Sequence, residues 1–287
     1  MMIGTRGSML AIRQTEIFIE SFQKMFPSEP YEVKEIKVSG DADQISPLHE
    51  LQGFGAFVRE LDDALIRGNI DVSVNSMKDM PIDPKDGVVV PAVLPRADVR
   101  DVIIPISLDE LPSGSVIGTS SLRRTATIGK MRPDLDIRPL RGNIQTRIRK
   151  FAEGEYDAIV LAKAGLDRSE ISVRYSVLSI DNMVPAPAQG AIAIACRSND
   201  EGMIERLSKL DDPVTRAEVT IERYIMKATG AGCTSPIGIN AEAVPDGFRV
   251  RAESFMGSVP VKVDAIIRRD DQKKGLDDVV SILKGSQ

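Results

Sequence analysis

Val116-Ile117-Gly118-Thr119-Ser120-Ser121-Leu122-Arg123-Arg124 reads as a short apolar strand that turns through small and hydroxylic residues straight into a helix. The N-terminus has the same syntax. Met2-Ile3 runs into Gly4-Thr5-Arg6-Gly7-Ser8, after which Ala11, Thr15, Phe18, Phe22 and Met25 recur at helical spacing until Pro27. Ile3-Gly4-Thr5 and Ile117-Gly118-Thr119 therefore hold the same place in two strand-helix units, which predicts two lobes of one design.

Outward from these turns the alternation continues. Tyr31 to Val38 is β-branched and extended, Phe57, Leu61 and Leu65 mark a helix closing at Gly68, and Ile70, Val72 and Val74 alternate as a strand that leads into Ser76-Met77-Lys78-Asp79. In the second lobe a strand lies near Leu135 to Leu140. Asn143 caps a helix with Ile144, Ile148 and Phe151 on one face, Gly154 stops it, and Tyr156 to Ala162 is a buried strand. Strands alternating with helices imply α/β architecture with mostly parallel sheets, whose ligands sit beyond the carboxyl ends of the strands. The expected site is the cleft between the lobes. Ala186-Pro187-Ala188-Gln189-Gly190 reads as a crossing segment, and Ala191 to Cys196 as an apolar strand returning to the first lobe. From about Pro213 the character changes: Ala217, Ile221, Tyr224 and Ala228 suggest a helix, followed by extended runs near 237–243, 248–255 and 259–267 and a last helix near 276–283. The expected division is 1–93 with about 191–208, an arginine-rich lobe at 97–186, and a small C-terminal α+β domain at 213–287.

The chain has 287 residues, is 42% hydrophobic, and sets 37 Lys+Arg against 42 Asp+Glu, a formal charge of −5 that disfavours a general nucleic-acid binder. Met1 to Arg6 lacks the apolar core of a signal peptide, and no later segment reaches the length of a bilayer span, so a cytoplasmic protein is expected. Two cysteines, Cys196 and Cys233, and one histidine, His49, leave little room for a disulfide framework, a metal site or a histidine triad.

Between Arg123 and Arg149 stand seven arginines against two carboxylates, Asp134 and Asp136. Arginine grips carboxylate or phosphate through a planar fork, so the cluster suggests a polyanion site; the plainer alternative is a solvated, salt-bridged face. Arg123 and Arg124 fall in the first turn of a helix, where the dipole disfavours cations by about 0.3–1 kcal/mol each, and an anion would offset that. Arg6 and Ser8 repeat the arrangement in the first lobe. Asp79, just after a strand and beside Lys78, could serve as acid, base or counter-ion. Cys233 in Gly230-Ala231-Gly232-Cys233-Thr234 has little to shield its sulfur and suits nucleophilic attachment, whereas Cys196 lies in an apolar run and reads as a core thiol. Two other classes fit parts of the pattern: a non-catalytic two-lobe binding protein for a small polyanion, and a nucleic-acid binder using the arginine face.

Taken together, Gly118-Thr119-Ser120-Ser121-Leu122-Arg123-Arg124, Arg132-Pro133-Asp134-Leu135, Leu140-Arg141-Gly142-Asn143 with Arg147, Gly154-Glu155-Tyr156-Asp157-Ala158-Ile159, Ser76-Met77-Lys78-Asp79, Gln189-Gly190-Ala191 and Gly232-Cys233 ahead of Pro236-Ile237-Gly238 resemble the porphobilinogen deaminase (hydroxymethylbilane synthase) family over nearly the whole chain. The resemblance implies three domains, the first two like periplasmic binding proteins. It also implies a transferase that joins four porphobilinogen molecules head to tail, releasing ammonia and linear hydroxymethylbilane. It assigns Cys233 to a thioether-linked dipyrromethane cofactor and Asp79 to catalysis. Arg6, Ser8, Lys78, Ser121, Arg123, Arg124, Arg141, Arg147 and Arg168 match positions that hold the acetates and propionates of cofactor, substrate or growing chain. A monomer acting on a small molecule, without metal, membrane or nucleic acid, is expected. The sequence departs from the family at Glu50 and Phe54, where many members have lysines.

Overall fold

The chain runs β1 (Met2–Thr5), α1 (Met9–Met25), β2 (Glu32–Glu35), α2 (Arg59–Ile66), β3 (Val72–Ser76), a 3-10 turn at Met77–Asp79, and β4 (Val88–Val93). It continues with β5 (Asp101–Ile104), β6 (Val116–Gly118), α3 (Leu122–Met131), β7 (Asp136–Arg138), α4 (Ile144–Ala152), β8 (Ala158–Ala162), α5 (Lys163–Arg168) and β9 (Ser176–Val177). The last elements are β10 (Ile192–Arg197), α6 (Glu201–Ser208), α7 (Pro213–Ala228), β11 (Ile237–Val244), β12 (Gly247–Ser254), β13 (Val261–Arg268) and α8 (Gln272–Leu283). This is a computed structural model that describes residues 1–38, 58–232 and 235–285. The chain divides into two units, 1–97 with 190–216 and 98–189 with 217–287. Among the described residues no helix is long and apolar enough to cross a membrane.

The first unit holds a sheet of order β2-β1-β3-β10-β4, with β1 parallel to β2 and β3, and β10 antiparallel to β3 and β4. One face buries Ile3, Val72, Val74, Ile192, Ile194 and Cys196 against Phe18 and Phe22 of α1. The other packs Ile70 and Val88 on Leu61, Ala64 and Leu65 of α2. Strands covered on both faces carry apolar runs instead of strict alternation, which is why Ile192 to Cys196 reads as a continuous small apolar strand. Pro91 lies within β4, at the sheet edge, where a missing N–H is tolerated.

The second unit repeats the scheme. Its sheet has the order β7-β6-β8-β5-β9, with β6 parallel to β7 and β8, and β5 antiparallel to β8 and β9. Each sheet thus sets three parallel strands beside two that run against a neighbour. The echoed glycines have a common cause. A Cβ on Gly4 would come within 2.3 Å of Ile70 Cδ1, and one on Gly118 within 2.8 Å of Tyr156 Cδ1 and 2.9 Å of Leu140 Cδ2. Both turns lie directly beneath a packed side chain.

The same unit carries the antiparallel meander β11-β12-β13, with Ile267 of β13 and Leu276, Val279 and Leu283 of α8 buried. α7 is rotated from the expected stripe: Thr215, Val219, Ile221, Glu222, Ile225 and Met226 are buried. Tyr224 is 40% exposed and donates its hydroxyl to Asp277 at 2.7 Å. Tyrosine is satisfied by an apolar body and a wet tip, whereas Ile225 is not, and that decides the face.

Candidate functional site

In the first unit the expected residues gather at the C-terminal ends of the adjacent parallel strands β1 and β3. Arg6 and Ser8 follow β1, and Ser8 caps α1 by accepting the Ala11 N–H at 3.3 Å. Lys78 and Asp79 follow β3 in the 3-10 turn, both half-buried. The two strand ends are tied by side chains: Gln14 Nε2 donates to Ser76 Oγ at 2.8 Å, and the Thr15 hydroxyl donates to Thr5 Oγ1 at 2.8 Å. The Asp79 carboxylate has no hydrogen bond or ion pair with the described side chains.

In the second unit the turns after β6, β7 and β8 carry the rest. Ser121 caps α3, with its Oγ 3.5 Å from the Arg124 N–H it accepts. The Arg141 turn is pinned through successive carbonyls: Thr119 N donates to Arg138 O at 3.0 Å, Tyr156 Oη to Pro139 O at 2.6 Å, Ser120 Oγ to Leu140 O at 2.9 Å, and Arg147 Nε to Gly142 O at 2.8 Å. Gly142 has φ +107°, a backbone setting that favours glycine. Asn143 caps α4 as expected, accepting the Thr146 N–H at 2.9 Å. Arg141 Nη1 is buried and has no hydrogen-bond partner among the described residues. Arg168 ends α5, where burial lowers its pKa to about 10 against the opposing pull of Asp167.

The seven arginines between 123 and 149 divide by environment. Arg132 pairs with Asp134, Arg138 with Asp136, and Arg149 with Glu153, which is the salt-bridged surface that composition alone allows. Arg123 and Arg124 are interior, 4% and 5% exposed, and both reach Asp101, which is 0% exposed. Arg123 Nη1 lies 2.8 Å from Asp101 Oδ2 and Arg124 Nη2 lies 2.7 Å from Oδ1. The anion that the helix N-terminus calls for is thus supplied first by the protein. Burial by itself would raise the Asp101 pKa, but the two guanidiniums outweigh it and hold the carboxyl well below the usual range. Burial in turn lowers the Arg123 pKa, and Asp101 opposes that shift.

Asp101 has no place among the residues expected from sequence, yet a signal was there. It is a carboxylate heading the apolar run Val102-Ile103-Ile104, and a charge so placed needs a buried partner. Gln189 of the crossing segment joins it, donating through Nε2 to Val99 O at 2.7 Å and Asp101 Oδ1 at 3.0 Å. Cys196 is in the core of the first unit, and burial raises its thiol to about 11. Cys233, His49, Glu50 and Phe54 lie outside the described residues. No group of three or more potential metal ligands occurs among the described residues.

Comparison with known proteins bears on the family of the chain. Residues 1–205 match the family described as "Porphobilinogen deaminase, dipyromethane cofactor binding domain". The "Probable porphobilinogen deaminase" of Methanosarcina acetivorans is 45% identical over 277 residues, covering 93% of this chain and 86% of its own length. The "Porphobilinogen deaminase" of Lysinibacillus sphaericus is 39% identical over an alignment of 302 residues, covering 99% and 97%. Among solved structures, an ancestral arginine-binding protein bound to arginine is similar at a TM-score of 0.39 and 14% identity, covering 80% of this chain and 92% of that one. From the match over its first 205 residues and relatives this similar over nearly its full length, the chain belongs to the porphobilinogen deaminase family.

Proposed function

We propose that this chain condenses four porphobilinogen molecules head to tail on a dipyrromethane primer held by a thioether to Cys233, releasing ammonia and linear hydroxymethylbilane. The observation that carries the site assignment is Arg141. Its turn is fixed through four carbonyls, while its own Nη1 is buried without a partner among the described residues, a donor in want of an anion. Dipyrromethane and porphobilinogen both carry acetate and propionate groups, so the donor set suits them.

In this reading Ser121, Arg123, Arg124, Arg141, Arg147, Arg168, Arg6, Ser8 and Lys78 hold carboxylates of primer, substrate or growing chain. Every added ring brings two more negative charges, and guanidinium forks neutralise them while fixing orientation. When bound, the primer supplies a nucleophilic pyrrole α-carbon for chain growth. Asp79 acts on the substrate. Loss of ammonia from the protonated aminomethyl group leaves positive charge shared with the pyrrole nitrogen, and a half-buried carboxylate accepting that N–H stabilises the cation and can shuttle its proton. Cys233 reacts once, at primer attachment.

The same reading divides the chain into 1–93 with about 191–208, 97–186 and 213–287, and makes it a cytoplasmic monomer that works without membrane or nucleic acid. Light scattering on the purified protein tests the monomer. Intact mass tests the function: a dipyrromethane-sized adduct is expected on the wild type and absent from Cys233→Ser. An unmodified, inactive wild type made with its primer available would reject the reading.

A further inference from the structure

Arg123 and Arg124 stand where a helix dipole disfavours them and where burial penalises their charge, so their placement has to be maintained. Five contacts do so. Asp101 forms ion pairs with Arg123 Nη1 and Arg124 Nη2 on separate oxygens and accepts from Gln189 Nε2 at 3.0 Å, while Arg123 Nη1 donates to Val184 O at 2.8 Å and Arg124 Nη1 to Val160 O at 2.9 Å. Register puts this cluster at the functional edge of the sheet. Asp101 opposite Ala162 is level with the C-terminal end of β8, a parallel strand that ends beside the Ser121 turn. The cluster is also unbalanced, with two guanidiniums on one carboxylate.

We infer that Asp101 is a positioning residue, which locks the Arg123 and Arg124 guanidiniums in place before any ligand arrives and leaves the cluster one negative charge short, so that a ligand carboxylate completes it. The inference rests on the reading that these arginines hold carboxylates of primer or substrate. A guanidinium fork is useful to a ligand in proportion to how little it must be reordered on binding, and a carboxylate that holds one Nη of each fork provides that order in advance. Full neutralisation by a second internal carboxylate would remove the attraction; none is present in the cluster among the described residues.

Asp101→Asn keeps shape and removes the charge. Made with primer available and shown to be folded by circular dichroism, it should carry at least fivefold less primer by intact mass than the wild type; a smaller loss overturns the inference. A second measurement needs no change at Asp101. Wild-type protein labelled with ¹⁵N-arginine and prepared without primer should show two guanidinium groups with slowed Nη rotation, assigned by their loss in Arg123→Lys and Arg124→Lys. Guanidiniums that rotate freely until primer is attached overturn it even if the Asn variant fails to fold. A wild type with ordered guanidiniums but neither adduct nor porphobilinogen consumption would instead count against the functional reading alone.

Discussion

Glu222 offers a severe test of how the second unit is held together. It is wholly buried on α7, and its carboxylate accepts two backbone N–H groups, Ala188 at 2.6 Å through Oε2 and Ala241 at 2.8 Å through Oε1. One acceptor therefore ties α7 to β11 and to the crossing segment, where Ala188 sits at φ +59°, a setting alanine rarely adopts. Glu222→Ala leaves both N–H groups buried and unpaired, each costing about 1–3 kcal/mol, and opens a cavity as well. The expected loss is about 3–5 kcal/mol. At roughly 2–4 °C per kcal/mol for a unit of this size, the melting midpoint falls by about 6–20 °C. The chain has no tryptophan, so far-UV circular dichroism is the assay. Arg249→Ala is the control: its pair with Asp264 is 40% and 44% exposed, and such pairs contribute at most about 1 kcal/mol. Equal shifts for the two variants, or less than about 3 °C for Glu222→Ala, would refute the reasoning.

Three further outcomes are expected. Asp62 is buried in the first turn of α2, and burial raises its pKa to about 6, opposed by Lys85. Because the folded value lies above the unfolded 3.8, this group favours the fold below pH 3.8 and that contribution is lost as pH rises through about 6. Asp62→Asn should therefore raise stability at pH 8 by about 1–3 kcal/mol and lose that gain near pH 3, as read by urea titration; a gain confined to low pH would contradict the sign. Cys196, 0% exposed with its thiol raised by burial, should resist iodoacetamide in the native protein, and alkylation mapped to it before unfolding would show the core to be open. Asp79→Asn should keep its primer by intact mass while turnover of porphobilinogen falls about 10²–10³-fold, and near-normal turnover would remove Asp79 from its role.

What could be read from the sequence follows from how locally each feature is determined. The glycine-threonine turns, the Asn143 cap, and the helix stops at Gly68 and Gly154 depend on a few neighbouring residues, and each stands where expected; Ser8 and Ser121, read from sequence as anion-site residues, also cap their helices. The antiparallel strands β4 and β5 and the position of β10 between β3 and β4 depend on which distant segments pair, and no local period encodes that. The site divides along the same line. Arg141 and Asp79 are turn residues, so their motifs placed them; Arg123 and Arg124 were placed too, but not their environment. Five helix residues of sequence can show two adjacent cations after a cap, yet they say nothing of the carboxylate on another strand, 22 residues earlier than Arg123, that determines whether those cations face water or the interior. A charged residue at the head of an apolar strand and a glutamate on a buried helical stripe are the sequence marks of Asp101 and Glu222. Both mean the same thing physically: a buried carboxylate persists only where donors converge on it, so each such residue predicts a tertiary junction even before its partners are known.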